Sequence, residues 1–242
     1  MHLLLIRHGQ SFVNLEDWTG GFVDAGLTDL GKKQAKRLAD WIAQNVHLDA
    51  LYTSTMARTL ETAAFLSAAT GLTAQPDDRL REFGNCYANG LPVPAETMPV
   101  EYADFWGTER PHSRINADGE SWMLFRVRVS AFLDDLLERY ARLEPAQIVA
   151  VVCHGGVIDA AFDHVFNVGP RRRVEIWTYN TGIVHWEYQP DSGRESWRLH
   201  AHNLVHHFMD CAEEWPGSSP IMQTANRQSV PTARQNPDGD SG

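Results

Sequence analysis

Two histidines stand in the same kind of place in this chain. His2 to Ile6 is a short apolar run that leads into Arg7-His8-Gly9, and Ile148 to Val152 leads into Cys153-His154-Gly155-Gly156. Runs of this kind read as buried strands. In an open α/β sheet, sites form beyond the carboxyl ends of the strands, so both imidazoles can be delivered to one edge. A third run, Ala50 to Thr53, leads to Ser54, and Arg58 follows on the first turn of a helix with Thr62 one turn beyond. An arginine there points back to the same edge. Imidazole changes its charge near neutral pH and guanidinium stays cationic, so the three side chains could meet as one polar site at that edge. Taken singly, each pattern is weak. A lone histidine is more often a satisfied structural residue, and a helix arginine is more often solvated.

The elements that must carry these residues alternate between strand and helix. Thr28 is a plausible N-cap, and Ala35, Leu38, Ala39 and Ile42 follow at helical spacing to about Asn45. Met56 to Thr70 reads as a helix closed by Gly71. Residues 84 to 119 are punctuated by Gly and Pro and read as an insert or lid, with a short helix from Pro99 to Trp106. Asp118 then caps a long helix to about Arg142, with Leu124, Val127, Phe132, Leu136 and Leu137 among its apolar positions. The helix after Gly155-Gly156 is expected to end near Val168-Gly169-Pro170. Val174 to Tyr179, Ile183 to Tyr188 and Trp197 to Ala201 read as late strands, with turns at Asn180-Thr181-Gly182 and Pro190-Asp191-Ser192-Gly193. This order implies an α/β three-layer sandwich: a largely parallel central sheet with helices on both faces.

Size and charge bound the remaining choices. The chain has 242 residues, enough for one large domain with a sizeable core. We place that domain at residues 1–208. Residues 209–242 are rich in Ser, Pro, Gln, Asn, Gly and Asp and are expected to form a disordered tail. The net charge of -10 argues against nucleic acid and anionic membrane as main partners. No stretch approaches a membrane span, and Leu3-Leu4-Leu5-Ile6 is too short for a signal-peptide core. Cys86, Cys153 and Cys211 are few and widely spaced, which points to a reducing cytoplasm. No carboxylate-and-histidine ligand cluster stands out, so no metal is expected. The adjacent His206 and His207 are read as structural.

Leu5-Ile6-Arg7-His8-Gly9-Gln10-Ser11 with Asn14 is similar to the signature of the histidine phosphatase superfamily. The resemblance is to the branch that includes cofactor-dependent phosphoglycerate mutase, and it implies a phosphoglycerate-mutase-like fold. It runs on through Leu27-Thr28 with Gly31, Gln34 and Ala35, then Ser54 with Arg58, Thr62 and Ala63. Leu80-Arg81-Glu82-Phe83-Gly84, Gly119-Glu120-Ser121, Val152-Cys153-His154-Gly155-Gly156 and Asn180 complete it.

The resemblance implies roles that the chemistry supports. His8 is the nucleophile and forms a phosphohistidine, with its other ring nitrogen held by a backbone carbonyl. Arg7 and Arg58 clamp the phosphoryl oxygens. His154 is a further donor, as an imidazolium beside the phosphate. The amides at Gly155 and Gly156 open a helix and form an anion site. Glu82 is general acid for the leaving oxygen and then base for water. Asn14 and Ser11 shape the phosphate pocket, although a local turn bond is the competing reading for Ser11. Such donors suffice for phosphoryl transfer without a metal or other cofactor.

The family contains mutases and phosphatases. A mutase must hold a second acidic group and usually carries a more basic insert. Between Phe83 and Arg110 this chain has no lysine or arginine. The expected activity is therefore hydrolysis of a small phosphate monoester. Phosphoglycerate mutation is the alternative, and a non-catalytic phospho-ligand binder is a lesser one. Tyr87, Tyr102, Phe105, Trp106 and Trp122 form either an aromatic cover over the site or a self-packed cluster. Arg171-Arg172-Arg173 is read as a solvated loop.

Overall fold

The computed structural model describes residues 1–15, 24–94, 110–171, 174–191, 193 and 196–208. The expected helix at Pro99 to Trp106, the aromatic residues Tyr102, Phe105 and Trp106, and the tail at 209–242 lie outside the described residues.

Among the described residues, six strands form one mixed sheet. In chain order they are β1 (His2–Arg7), β2 (Ala50–Ser54), β3 (Gln75–Asp77), β4 (Ile148–Cys153), β5 (Ile183–Tyr188) and β6 (Trp197–Leu204). The helices are α1 (Asp29–Asn45), α2 (Ala57–Thr70), α3 (Trp122–Tyr140) and α4 (Gly155–Val165). The spatial order is β3-β2-β4-β1-β5-β6. The first four of these are mutually parallel, β5 runs antiparallel to β1, and β6 runs antiparallel to β5. The α/β sandwich is as expected from the sequence.

Alternation along the strands builds two cores. Leu3 and Leu5 of β1 with Val149 and Val151 of β4 face α3 and α4. Leu4 and Ile6 with Ala150 and Val152 face α1 and α2. Each fully buried side chain of this size contributes roughly 1.5–3 kcal/mol. The two central strands are therefore apolar on both faces, which is why they read as unbroken apolar runs.

Several boundaries differ from the sequence expectation. The long helix α3 is capped by Ser121, whose side chain accepts from the Leu124 amide. Asp118 does not cap it. The shifted start changes the buried stripe to Trp122, Phe125, Val129, Phe132, Leu133 and Leu136, while Leu124 and Val127 are exposed. Helix α4 stops at Val165, short of Gly169, because Asn167 adopts a left-handed φ of 52° and the Val168 amide turns back to the Asp163 carbonyl.

Val174 to Tyr179 is not a strand. Its backbone groups are taken by side chains instead of a ladder: the Ile176 amide donates to Asp159, the Thr178 carbonyl accepts from Arg7, and the Tyr179 amide donates to Asn203. The three-residue strand β3 carries no sequence signal. It is polar, contains Pro76 and sits at the sheet edge, where a missing N–H is tolerated.

The loop after β1 is pressed against the start of α1. A Cβ on Gly31 would lie 1.9 Å from the Gln10 carbonyl oxygen, and one on Gly9 would lie 2.6 Å from the Gly31 oxygen. Side chains then sew the loop down: Gln34 accepts from the Gln10 amide and Thr62 from the Gly9 amide. Gly31→Ala is expected to lower stability by about 1–3 kcal/mol through overpacking. A chemical-denaturation midpoint equal to wild type would show that the contact yields more easily than this geometry implies.

Candidate active site

Strand pairing delivers the two histidines together. Arg7 at the end of β1 pairs with Cys153 at the end of β4, so His8 and His154 follow side by side. Their ring centroids are 5.2 Å apart. The His8 backbone is fixed on both sides. Its amide donates to the Cys153 carbonyl, and its carbonyl accepts from the Asn180 side chain and the Thr181 amide. The Asn180-Thr181-Gly182 turn is thus tied to the active loop, with Thr181 in a left-handed φ of 58°.

The His8 ring is buried. Its Nδ1 is 2.7 Å from the Gly9 carbonyl oxygen, so Nδ1 carries the proton and donates. The lone pair is then on Nε2, which accepts from Arg58 Nε–H at 3.2 Å. The backbone carbonyl expected behind the ring is Gly9. Burial holds His8 well below the usual histidine value, and Arg58 and Arg7 add to the effect.

His154 is also fully buried. Its Nε2 lies 2.9 Å from the Ser54 hydroxyl, and its Nδ1 has no hydrogen-bond partner. Burial, then Arg58 and His8, hold it well below the usual histidine value. In the ligand-free site this favours the neutral imidazole, while the imidazolium expected from the resemblance is that of the phosphate-bound site. His154 stands beside the His8 ring and is not among the residues lining the cavity.

A cavity of about 380 Å³ opens at this edge, and Arg7, His8, Asn14, Arg58, Glu82 and Gly155 all line it. Arg58 is fully inside the protein, and burial pulls it down to about 10, which still leaves it cationic at neutral pH. Burial also lowers Arg7, against the pull of Glu82, Glu175 and Asp159. Arg7 Nε has no hydrogen-bond partner. A buried guanidinium (Arg58) and a half-buried one (Arg7) beside an unprotonated ring nitrogen have the chemistry to hold a tetrahedral oxyanion.

Two expected phosphate contacts are placed differently. Ser11 does not line the cavity. Its amide and hydroxyl both bond to Asn14 Oδ1, within the 3-10 turn at Phe12–Asn14. The local-turn reading therefore describes it. At the start of α4, the Gly156 amide donates to Glu82 Oε2 at 3.1 Å, and Glu82 Oε1 accepts from the Phe83 amide at 2.8 Å. A carboxyl from another segment thus caps α4, while Gly155 stays at the cavity wall.

The Glu82 segment is held by a buried ion pair that the sequence reading did not assign. Arg128 donates Nε and one terminal nitrogen to Glu120 at 2.8 Å each, and also donates to the carbonyls of Arg79, Arg81 and Glu82. Glu120 in turn accepts from the Gly84 amide. The sequence signal for Arg128 was an arginine on the apolar stripe of α3, between Phe125 and Phe132. Arg81 braces the insert through Asn85, Thr55 and Val93 rather than facing the cavity. Asp159, Glu175 and Trp177 line the cavity without having been singled out. The unladdered segment 174–179 is what brings two of them there. Trp122 packs on Phe83 and Phe125, so this part of the aromatic group is a self-packed cluster.

Such a site belongs to the enzymes that handle phosphate groups through histidine. The chain belongs to the histidine phosphatase superfamily (branch 1), whose family model matches residues 3–203. Phosphoserine phosphatase 1 of Hydrogenobacter thermophilus is 35% identical over 154 residues, covering 63% of this chain and 70% of that one. Phosphoglycerate mutase-like protein 4 of Arabidopsis thaliana is 27% identical over 164 residues, 66% of this chain and 69% of that one. A solved mycobacterial glucosyl-3-phosphoglycerate phosphatase matches the fold with a TM-score of 0.65 at 22% identity, covering 84% of this chain and 99% of that one. Among the described residues, no helix is long and apolar enough to cross a membrane.

The two neutral imidazoles set a pH dependence. In the unfolded chain, histidines take up protons below about pH 6.5. In the folded protein His8 and His154 resist protonation to well below that value. The unfolded state therefore binds protons first, and stability falls as pH drops through about 6.5. The thermal midpoint of the ligand-free protein is expected to fall between pH 7 and pH 5, with a shallower slope in His8→Ala. Equal slopes in the two proteins would show that His8 does not contribute. Removing one partner of the buried pair, as in Arg128→Met, is expected to cost about 3–5 kcal/mol in a denaturation experiment. A cost below about 1 kcal/mol, the range of exposed pairs, would show that Glu120 reaches water.

Proposed function

We propose that this chain is a phosphatase of small phosphate monoesters that works through a phosphohistidine on His8, without a metal in the step. The observation that carries the reading is the His8 ring itself: a buried imidazole with its lone pair on Nε2, set against the Arg7 and Arg58 guanidiniums. Nε2 attacks phosphorus, and the ester P–O bond breaks. Arg7 and Arg58 hold the phosphoryl oxygens, with Arg58 turning its N–H from His8 to the incoming group. Glu82 gives its proton to the leaving oxygen, then accepts one from the water that breaks the P–N bond. His154 and Gly155 donate to the phosphoryl group, and Asn14 helps shape the pocket. Residues 84–119 are read as an insert or lid segment, of which Asn85 lines the cavity. The free buried thiols of Cys86 and Cys153 fit a cytoplasmic location.

The cavity wall favours hydrolysis over mutation. Among the described residues lining it, Arg7 and Arg58 are the only arginines or lysines, while Asp159 and Glu175 are acidic. A mutase needs cations for the second acidic group of phosphoglycerate; here that group meets carboxylates. The same wall suits a leaving group that carries an ammonium or hydroxyl. Phosphoserine, the ester in the name of the Hydrogenobacter relative, is the first to assay.

The test is a reaction in chelator with an aryl phosphate, quenched in alkali. Phosphate release and an acid-labile, alkali-stable phosphoenzyme are expected, and His8→Ala should lose both. Wild-type turnover in His8→Ala would overturn the mechanism. Glu82→Gln should slow hydrolysis of an alkyl phosphate about 10²–10⁴-fold. It should slow an aryl phosphate less, because phenolate needs less help to leave. Equal effects on both esters would remove Glu82 from the acid role. Primer-dependent isomerisation of phosphoglycerate faster than any hydrolysis would establish the mutase instead.

A further inference from the structure

Away from the phosphate site, three imidazoles from three strands converge. His2 opens β1, His185 lies in β5 and His200 in β6, and one nitrogen from each lies within 4.8 Å of the other two. The sequence reading found no ligand cluster because these residues are far apart in the chain. Strand pairing assembles them. His185 sits opposite Leu4 in the β1–β5 ladder, and His2 is two residues before Leu4, on the same face. His2 and His185 border a cavity of about 280 Å³ with Trp41 and His47, beyond the end of α1. The catalytic edge lies at the other end of β1.

We propose that His2, His185 and His200 form a binding site for one divalent transition-metal ion of the zinc class. Imidazole nitrogen suits zinc, cobalt, nickel and copper better than the oxygen-seeking calcium or magnesium. A metal–nitrogen bond of about 2.1 Å with tetrahedral angles places ligand nitrogens about 3.4 Å apart. His2 Nδ1 and His185 Nε2 are already 3.1 Å apart. His200, exposed and stacked on His185 with centroids 4.7 Å apart, needs only a small ring movement to close the triangle.

The surroundings support ligation. His200 Nε2 is 2.7 Å from Glu187 Oε2, and a carboxylate on the ring orients an imidazole and strengthens it as a ligand. Leu4 and Ile183 of the cavity supply an apolar wall. His200 is exposed, so water can complete the coordination. A bound ion would clasp β1 to the antiparallel β5–β6 pair, whose leading turn holds the His8 carbonyl.

Untagged full-length protein, stripped with chelator and desalted, is titrated with Co²⁺. One equivalent should bind with half-saturation at micromolar metal or tighter and give the intense visible bands of four-coordinate cobalt. Zn²⁺ should displace it and raise the thermal midpoint. The bands should vanish in His200→Ala and in His2→Gln and persist in His47→Ala. Near-ultraviolet circular dichroism of the metal-free variants should match wild type, so that loss of the bands reports loss of a ligand. No saturable uptake of Co²⁺, bands that survive in both ligand variants, or bands lost in His47→Ala alone would overturn the assignment.

Discussion

Everything at the catalytic edge depends on the parallel pairing of β1 with β4. Its register sets Arg7 against Cys153, and His8 and His154 then leave the sheet at the same height. A slip of one residue would exchange the two faces of β1, sending Leu3 and Leu5 toward α1 and Leu4 and Ile6 toward α3 and α4. Apolar residues occupy both faces, so hydrophobic burial alone discriminates weakly. The loop supplies the rest of the specification. Gly9 and Gly31 allow a backbone approach that a Cβ would block, and Thr62, Gln34 and Asn180 take the polar groups that follow the strand.

The site is assembled at an electrostatic cost. Two guanidiniums and two imidazoles are crowded into one small region, and burial disfavours the charge on each. The histidines respond by staying neutral, whereas the arginines stay charged. The outcome is an unprotonated ring nitrogen beside two cations, the arrangement on which the proposed phosphohistidine rests. The Arg128–Glu120 pair does a different job nearby. It spends its donors on the carbonyls flanking Glu82 and so fixes the backbone from which the carboxyl projects.

The sequence exposed the parts of this site that are local. Arg7-His8-Gly9 and Cys153-His154-Gly155 each follow an apolar strand, and Arg58 sits one turn into a helix, so strand ends and helix starts could be placed from periodicity. Glu82 and Asn180 were found only through the family resemblance. What the sequence hid is tertiary. Arg128 acts across the fold from α3, and Asp159, Glu175 and Trp177 meet at one cavity because a segment with strand-like composition is not a strand. The histidine triad is legible only once β1, β5 and β6 are paired. Ser11, inside the same motif, bonds within its own turn, one of the two readings its sequence position offered.

The segment from Val174 to Tyr179 has a bearing on the history of such enzymes. Because side chains of Asp159, Arg7 and Asn203 satisfy its backbone, it forms the cavity wall without being a rung of the sheet. Its outward side chains can be exchanged without altering any strand register. Selectivity for the leaving group can therefore drift while the phosphoryl machinery stays fixed. This part of the wall can in this way change while the strand ends that carry Arg7 and Cys153 keep their register.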